Sequence, residues 1–155
     1  MQNTASKLQP VPAIQGLRAY SVLRHPAPVD LRLDGNEGAQ PPKELLDSLA
    51  AMTPDALRSY PAKTGLTAAL AAHFGLRPGQ VLVTAGADDA LERACRSVLG
   101  PGKECILPSP TFEMLGRYTR LAGAEVKTVP WTNPEYPLEG VLQVIGPRTA
   151  AIAVV

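Results

Sequence analysis

Residues 81–91 read Val-Leu-Val-Thr-Ala-Gly-Ala-Asp-Asp-Ala-Leu. An apolar run ends in a turn of small residues, and two adjacent acids open the next segment. A strand end, a turn containing Gly86 and a helix start together make an anion site. The first-turn amides of a helix have no helical acceptor, and the dipole adds positive potential. Gly86 permits the turn and gives a ligand close access to the backbone. Asp88 and Asp89 support two readings. Either they simply cap the helix, or they turn back to cap it while the amides of Gly86, Ala87 and Asp88 face a phosphate. A second stretch, residues 108–115, carries Phe112 at a helix start just after another apolar run. Phe112 reads either as a core aromatic or as a flat face above a planar ligand whose phosphate sits at residues 86–88.

Other chemistries find less support. Neither G-x-G-x-x-G nor G-x-x-x-x-G-K-[ST] occurs. The Gly-Lys of residues 102–103 lacks the following Ser or Thr and opens a strand. No metal site is expected, because His25 and His73 have no ligand-spaced companions and Asp89-x-x-Glu92 is a weak pair. Cys95 falls in a helical pattern and Cys105 in a strand; both read as small buried hydrophobes. The 155-residue chain carries a net charge of +1 with 45% hydrophobic and 19% charged residues. Without a basic run, nucleic acid is not an expected partner. No apolar stretch has membrane-spanning length, and residues 1–12 contain no signal-peptide core. The cytoplasm is the expected compartment.

The elements that must position these residues can be read from periodicity. Residues 1–40 read as an N-terminal arm with a short helical turn near residues 14–23 and an extended piece at 31–38. Residues 41–52 and 64–75 read as helices, joined by a connection at 53–61. From residue 80 strands (80–84, 104–108, 125–130, 149–155) alternate with helices (88–99, 111–123, 138–145). Short links between them require an α/β layer with a mostly parallel sheet. The chain ends on an apolar strand, where a domain is expected to continue, so the sequence reads as an N-terminal fragment.

The order Asn36-Glu37, Tyr60-Pro61, residues 81–91, residues 99–112, residues 121–130 and then an apolar strand resembles the class I and II aminotransferases, over nearly the whole chain. The likeness is greatest to the branch acting on histidinol phosphate. It implies an incomplete fold type I large domain over residues 41–155, pyridoxal 5'-phosphate as cofactor, and a homodimer. It also implies an amino acid or amino-phosphate substrate with a 2-oxo acid. By position it implies that the amides of Gly86, Ala87 and Asp88 hold the cofactor phosphate and that Phe112 stacks on its ring, where the family usually has tyrosine. Tyr60 would reach the phosphate of the partner subunit's cofactor, and Tyr20 and Asn36 would line the substrate site. Gly38, Ala39 and Ala62 depart from the family's usual residues. No lysine of this chain (7, 43, 63, 103 or 127) stands at the family's Schiff-base position, so no catalytic residue is expected within it. The alternatives are another family member, an aromatic aminotransferase or a threonine-phosphate decarboxylase, and a non-catalytic phosphate-binding α/β module.

Overall fold

The computed structural model describes residues 10–17, 19, 27–28 and 38–155. Tyr20, Asn36 and Glu37, together with nearly all of the extended piece expected at 31–38, lie outside the described residues. The chain divides into two compact units, residues 20–83 and residues 1–19 with 84–155.

The unit 20–83 holds three helices: α1 (Lys43–Ala50), α2 (Pro54–Arg58) and α3 (Lys63–His73). The connection expected at 53–61 is in part helical. Thr53 is the N-cap and its hydroxyl accepts from the Ala56 N–H at 3.2 Å, Pro54 sets the first helical φ, and Arg58 pairs with Asp55 at 2.6 Å. These are local start signals strong enough to close one turn. Helix α3 stops where Gly75 takes φ +66°. Leu76 N–H bonds to Ala71 O and Gly75 N–H to Ala72 O, the paired bonds of a Schellman motif. His73 stands in the last turn, where a cation suits the dipole, edge-on to Phe74 at 4.9 Å between ring centroids. Apolar Leu45, Leu46, Leu49 and Met52 are exposed. The strand expected at 80–84 is not formed. Gln80 closes a 3-10 turn, Val81 is extended, and residues 81–84 join no ladder among the described residues. An apolar run supplies the residues of a strand, but a strand also needs a neighbour.

In the second unit a three-stranded parallel sheet is built from β1 (Glu104–Ser109), β2 (Glu125–Pro130) and β3 (Thr149–Ile152), in the order β2-β1-β3. Helix α4 (Gly86–Val98) precedes β1, α5 (Glu113–Leu121) joins β1 to β2, and α6 (Leu138–Val144) joins β2 to β3. The alternation along β1 feeds two cores, because successive side chains point to opposite faces. Cys105 and Leu107 pack with Cys95, Leu99, Leu115, Tyr118 and Ala124, while Ile106 packs with Val129 and Val141. A central strand covered on both faces explains why Glu104–Pro108 is buried throughout. Helix α4 begins two residues earlier than its sequence pattern, at Gly86. Strand β3 ends at Ile152 rather than residue 155, although the Ala153 N–H still reaches Ile106 O at 2.9 Å.

The first residues of the three strands are tied together. Buried Glu104 accepts from the Thr149 hydroxyl at 2.9 Å and meets Arg148 at 3.2 Å and Lys127 at 3.5 Å. Arg148 also bridges to Glu125 at 3.1 Å. The Thr149 hydrogen bond, aided by the charges of Lys127 and Arg148 and opposed by burial, holds the Glu104 carboxyl below the usual carboxylate range. A group whose pKa is lowered by folding stabilises the fold fully above its unfolded value of about 4.3 and loses that contribution as pH falls through the folded value. Urea denaturation at a series of pH values between about 6 and 2 is expected to show this acid limb, and Glu104→Gln is expected to flatten it. An acid limb as steep in the variant as in the wild-type chain would remove Glu104 from the account.

Candidate functional site

Helix α4 ends just before β1 begins, and α5 begins just after β1 ends. Both helices therefore start at the C-terminal edge of the sheet, the edge on which α/β proteins build ligand sites. At the head of α4, Ala85 is the N-cap and Gly86 takes φ +83°. The Thr84 hydroxyl donates to Gly86 O at 3.0 Å. Asp89 reaches back: its Oδ2 accepts from the Ala85 N–H at 2.9 Å, and its Oδ1 accepts from Arg93 Nε at 2.6 Å. One acid thus closes the turn from inside and is itself neutralised by an arginine one helical turn on.

Residues 85–88 are exposed. Helix geometry leaves the N–H groups of Gly86, Ala87 and Asp88 without helical acceptors. A Cβ built on Gly86 would meet nothing within 4 Å. The glycine is thus required by its backbone rotation, and the space beside it is open to a ligand. Tyr118 stands on the neighbouring helix α5. Burial first, and the Asp88 carboxylate second, push the Tyr118 phenol up from its ordinary pKa. Asp89 is therefore held by the Ala85 N–H and Arg93, while three amides and a dipole end remain for an anion. Of the two readings of the acid pair, capping is seen directly for Asp89, and it leaves the amides available for the other. These features fit a phosphate group.

Phe112 is the N-cap of α5 and is 42% exposed, outside both core clusters. Within the described residues Phe112 therefore stands at the surface rather than in either core cluster. Tyr60 comes after α2 in the other unit and is fully exposed. The structure therefore gathers Gly86, Ala87 and Asp88 in one turn and puts Phe112 at the start of the helix packed against α4.

Cys95 and Cys105 are buried and unpaired by disulfide, and burial pushes both thiols up from their ordinary pKa, as suits packing rather than reactivity. Among the described residues, no helix is long and apolar enough to cross a membrane.

Residues 32–149 match the family model described as aminotransferase class I and II. The chain is 32% identical over 122 residues to a histidinol-phosphate aminotransferase of Paramagnetospirillum magneticum, covering 77% of this chain and 33% of that one. It is 34% identical over 135 residues to a chloroplastic histidinol-phosphate aminotransferase of Nicotiana tabacum, covering 86% and 32%. Among solved structures it is similar to N-succinyldiaminopimelate aminotransferase from Mycobacterium tuberculosis, with TM-score 0.62, 28% identity and coverage of 72% and 33%. It is also similar to the alpha-aminoadipate aminotransferase of Thermus thermophilus, solved in complex with N-(5'-phosphopyridoxyl)-L-leucine, with TM-score 0.55, 30% identity and coverage of 69% and 30%. The chain spans about a third of the length of the relatives it matches.

Proposed function

Since the chain belongs to the class I and II aminotransferase family, we propose that it forms the cofactor-phosphate part of a pyridoxal-phosphate-dependent aminotransferase acting on histidinol phosphate and 2-oxoglutarate. One observation carries the reading: the open first turn of α4, headed by Gly86 at φ +83° with Asp89 tied back to Ala85 and Arg93. The relatives named histidinol-phosphate aminotransferase, at 32–34% identity, support the substrate.

On this reading the amides of Gly86, Ala87 and Asp88 bind the cofactor phosphate, and the dipole of α4 supplies positive potential. Phe112 stacks on the cofactor ring and excludes water from one face of it. Tyr60 acts across a homodimer, reaching the phosphate held by the partner subunit, as a symmetric interface allows. Tyr20 and Asn36 contact the substrate. Pyridoxal phosphate, when bound, supplies the aldehyde and the electron-accepting ring. Transamination further requires a lysine amine. Lys43 pairs with Asp47, Lys103 donates to Val98 O, and Lys127 serves Glu104 and Val144 O. Each of the three is engaged in these contacts, and we assign none of them to the chemistry.

An amide-resolved NMR titration of the chain with pyridoxal 5'-phosphate tests the site. The largest shifts are expected at Gly86, Ala87 and Asp88; shifts confined to other residues would refute it. Phe112→Ala is expected to weaken binding by about 0.5–1.5 kcal/mol, or roughly two- to tenfold in Kd. Phe112→Tyr, which keeps the ring, is expected to bind like wild type. Equal Kd values for the alanine variant and wild type would show that the ring does not meet the cofactor. For the substrate, the polypeptide carrying these residues is expected to consume histidinol phosphate faster than aromatic amino acids, and the reverse order would move it to another branch of the family.

A further inference from the structure

Opposite charges four residues apart are common on helix surfaces and add little by themselves. Lys43–Asp47 and Glu92–Arg96 are pairs of this kind. Asp89–Arg93 has the same spacing, with Arg93 Nε 2.6 Å from Asp89 Oδ1, and one further feature. The second oxygen of Asp89 accepts from the Ala85 N–H at 2.9 Å, a backbone group that precedes the turn at Gly86. The Asp89 side chain is accordingly 24% exposed, against 59% for Arg93. Another strap spans the same residues, from the Thr84 hydroxyl to Gly86 O at 3.0 Å. Of these two straps only the one through Asp89 brings a charge into the turn. An unbalanced carboxylate there would repel an anion arriving at the amides of residues 86–88, because like charges a few ångström apart at a protein surface still interact appreciably. Removing the acid would release the Ala85 N–H. The turn therefore needs the carboxylate and also needs its charge cancelled.

We infer that Arg93 is a positioning residue of the phosphate turn: it holds the Asp89 carboxylate on the Ala85 N–H and cancels its charge, so that the turn keeps its shape without repelling an anion. The inference rests on the proposed role of this turn in binding phosphate. Arginine suits the task because its guanidinium is always charged and donates in fixed directions. Its place one helical turn beyond the acid is the favourable order for an acid–base pair in the field of the helix dipole. Arg93 acts through Asp89 and leaves the first-turn amides to the ligand.

The test is a double-mutant cycle in the full 155-residue chain, with the Kd for inorganic phosphate and for pyridoxal 5'-phosphate read from the amide shifts of residues 86–88. Arg93→Gln is expected to weaken both ligands by roughly two- to fivefold, and less at high salt. Its urea midpoint should stay near that of wild type, since an exposed pair adds little to stability. The Ala85 amide should exchange faster with solvent in the same variant. Asp89→Ala removes an acid from an anion site and is nevertheless expected to weaken binding, because the Ala85 N–H loses its acceptor; tighter binding would overturn the inference. In the Asp89→Ala background Arg93→Gln is expected to change Kd by less than about twofold. A loss as large as in the wild-type background would mean that Arg93 attracts the anion directly, and would also overturn it. So would an Arg93→Gln chain that binds like wild type, which would leave the phosphate turn itself standing. If neither ligand shifts the turn amides of the wild-type chain, the phosphate-turn reading falls and the role of Arg93 with it.

Discussion

Gly86→Val is expected to lower the affinity for pyridoxal 5'-phosphate at least tenfold while costing the fold about 1–2 kcal/mol, the penalty of the left-handed region for an L-residue. Gly86 sits at φ +83°, and a Cβ there would meet nothing within 4 Å. The damage therefore comes from backbone rotation rather than from collision. The chain has two ways to respond. It can keep the turn and bear the strain, which lowers stability. Or it can rotate the peptide out of the left-handed region, which scatters the amides of Gly86, Ala87 and Asp88 that the proposed phosphate site needs together. The second response relieves strain at the expense of binding, and the β-branched side chain, stiffest about χ1, pushes furthest toward it. Gly86→Ala should fall between valine and wild type in both measurements. Cofactor titration and urea denaturation of the same samples separate the two effects. A valine variant with wild-type cofactor affinity would show that the turn does not hold the phosphate.

The largest loss of stability is expected at Ile106→Ala, about 2–5 kcal/mol on the scale of buried large-to-small substitutions. Ile106 is 0% exposed, lies opposite Lys127 on β2 and Ile152 on β3, and is the only member of β1 in the core cluster with Val129 and Val141. Small domains are stable by only about 5–15 kcal/mol, so such a cavity consumes a large share of the whole. Leu82→Ala, at a position 70% exposed, gives the contrast and should change the urea midpoint little. A midpoint for Ile106→Ala equal to that of wild type would mean that this face of the sheet is not packed as described.

What was legible in the sequence is what is decided locally. The βα alternation beyond residue 100 rests on periodicity within each segment, and the end of α3 on one glycine, Gly75. The turn at Gly86 could be placed because glycine and the acids announce a helix start together. What was not legible depends on partners distant in sequence or on modest local signals. Residues 81–84 have the composition of a strand, yet the ladder that would make them one is not local. Helix α2 is only one turn long, set by Thr53, Pro54 and Asp55 without an apolar stripe. Phe112 could be placed at a helix start, but its open face depends on what packs above it. The packing of α4 on α5 is likewise decided by the tertiary fold rather than by either segment alone.

The cluster around Glu104 also bears on how such a chain can change over generations. Glu104, Glu125 and Thr149 are the first residues of their strands, so the clamp fixing strand register lies at the opposite edge from the turn at Gly86 and the ring of Phe112. If the turn at Gly86 is the ligand site, substitutions that retune ligand preference and those that loosen this clamp fall on opposite rims. On that condition, a change at the ligand rim leaves the clamp's hydrogen bond and ion pairs untouched. The names of the proteins this chain resembles, acting on histidinol phosphate, N-succinyldiaminopimelate and alpha-aminoadipate, are the diversity that such a separation would permit.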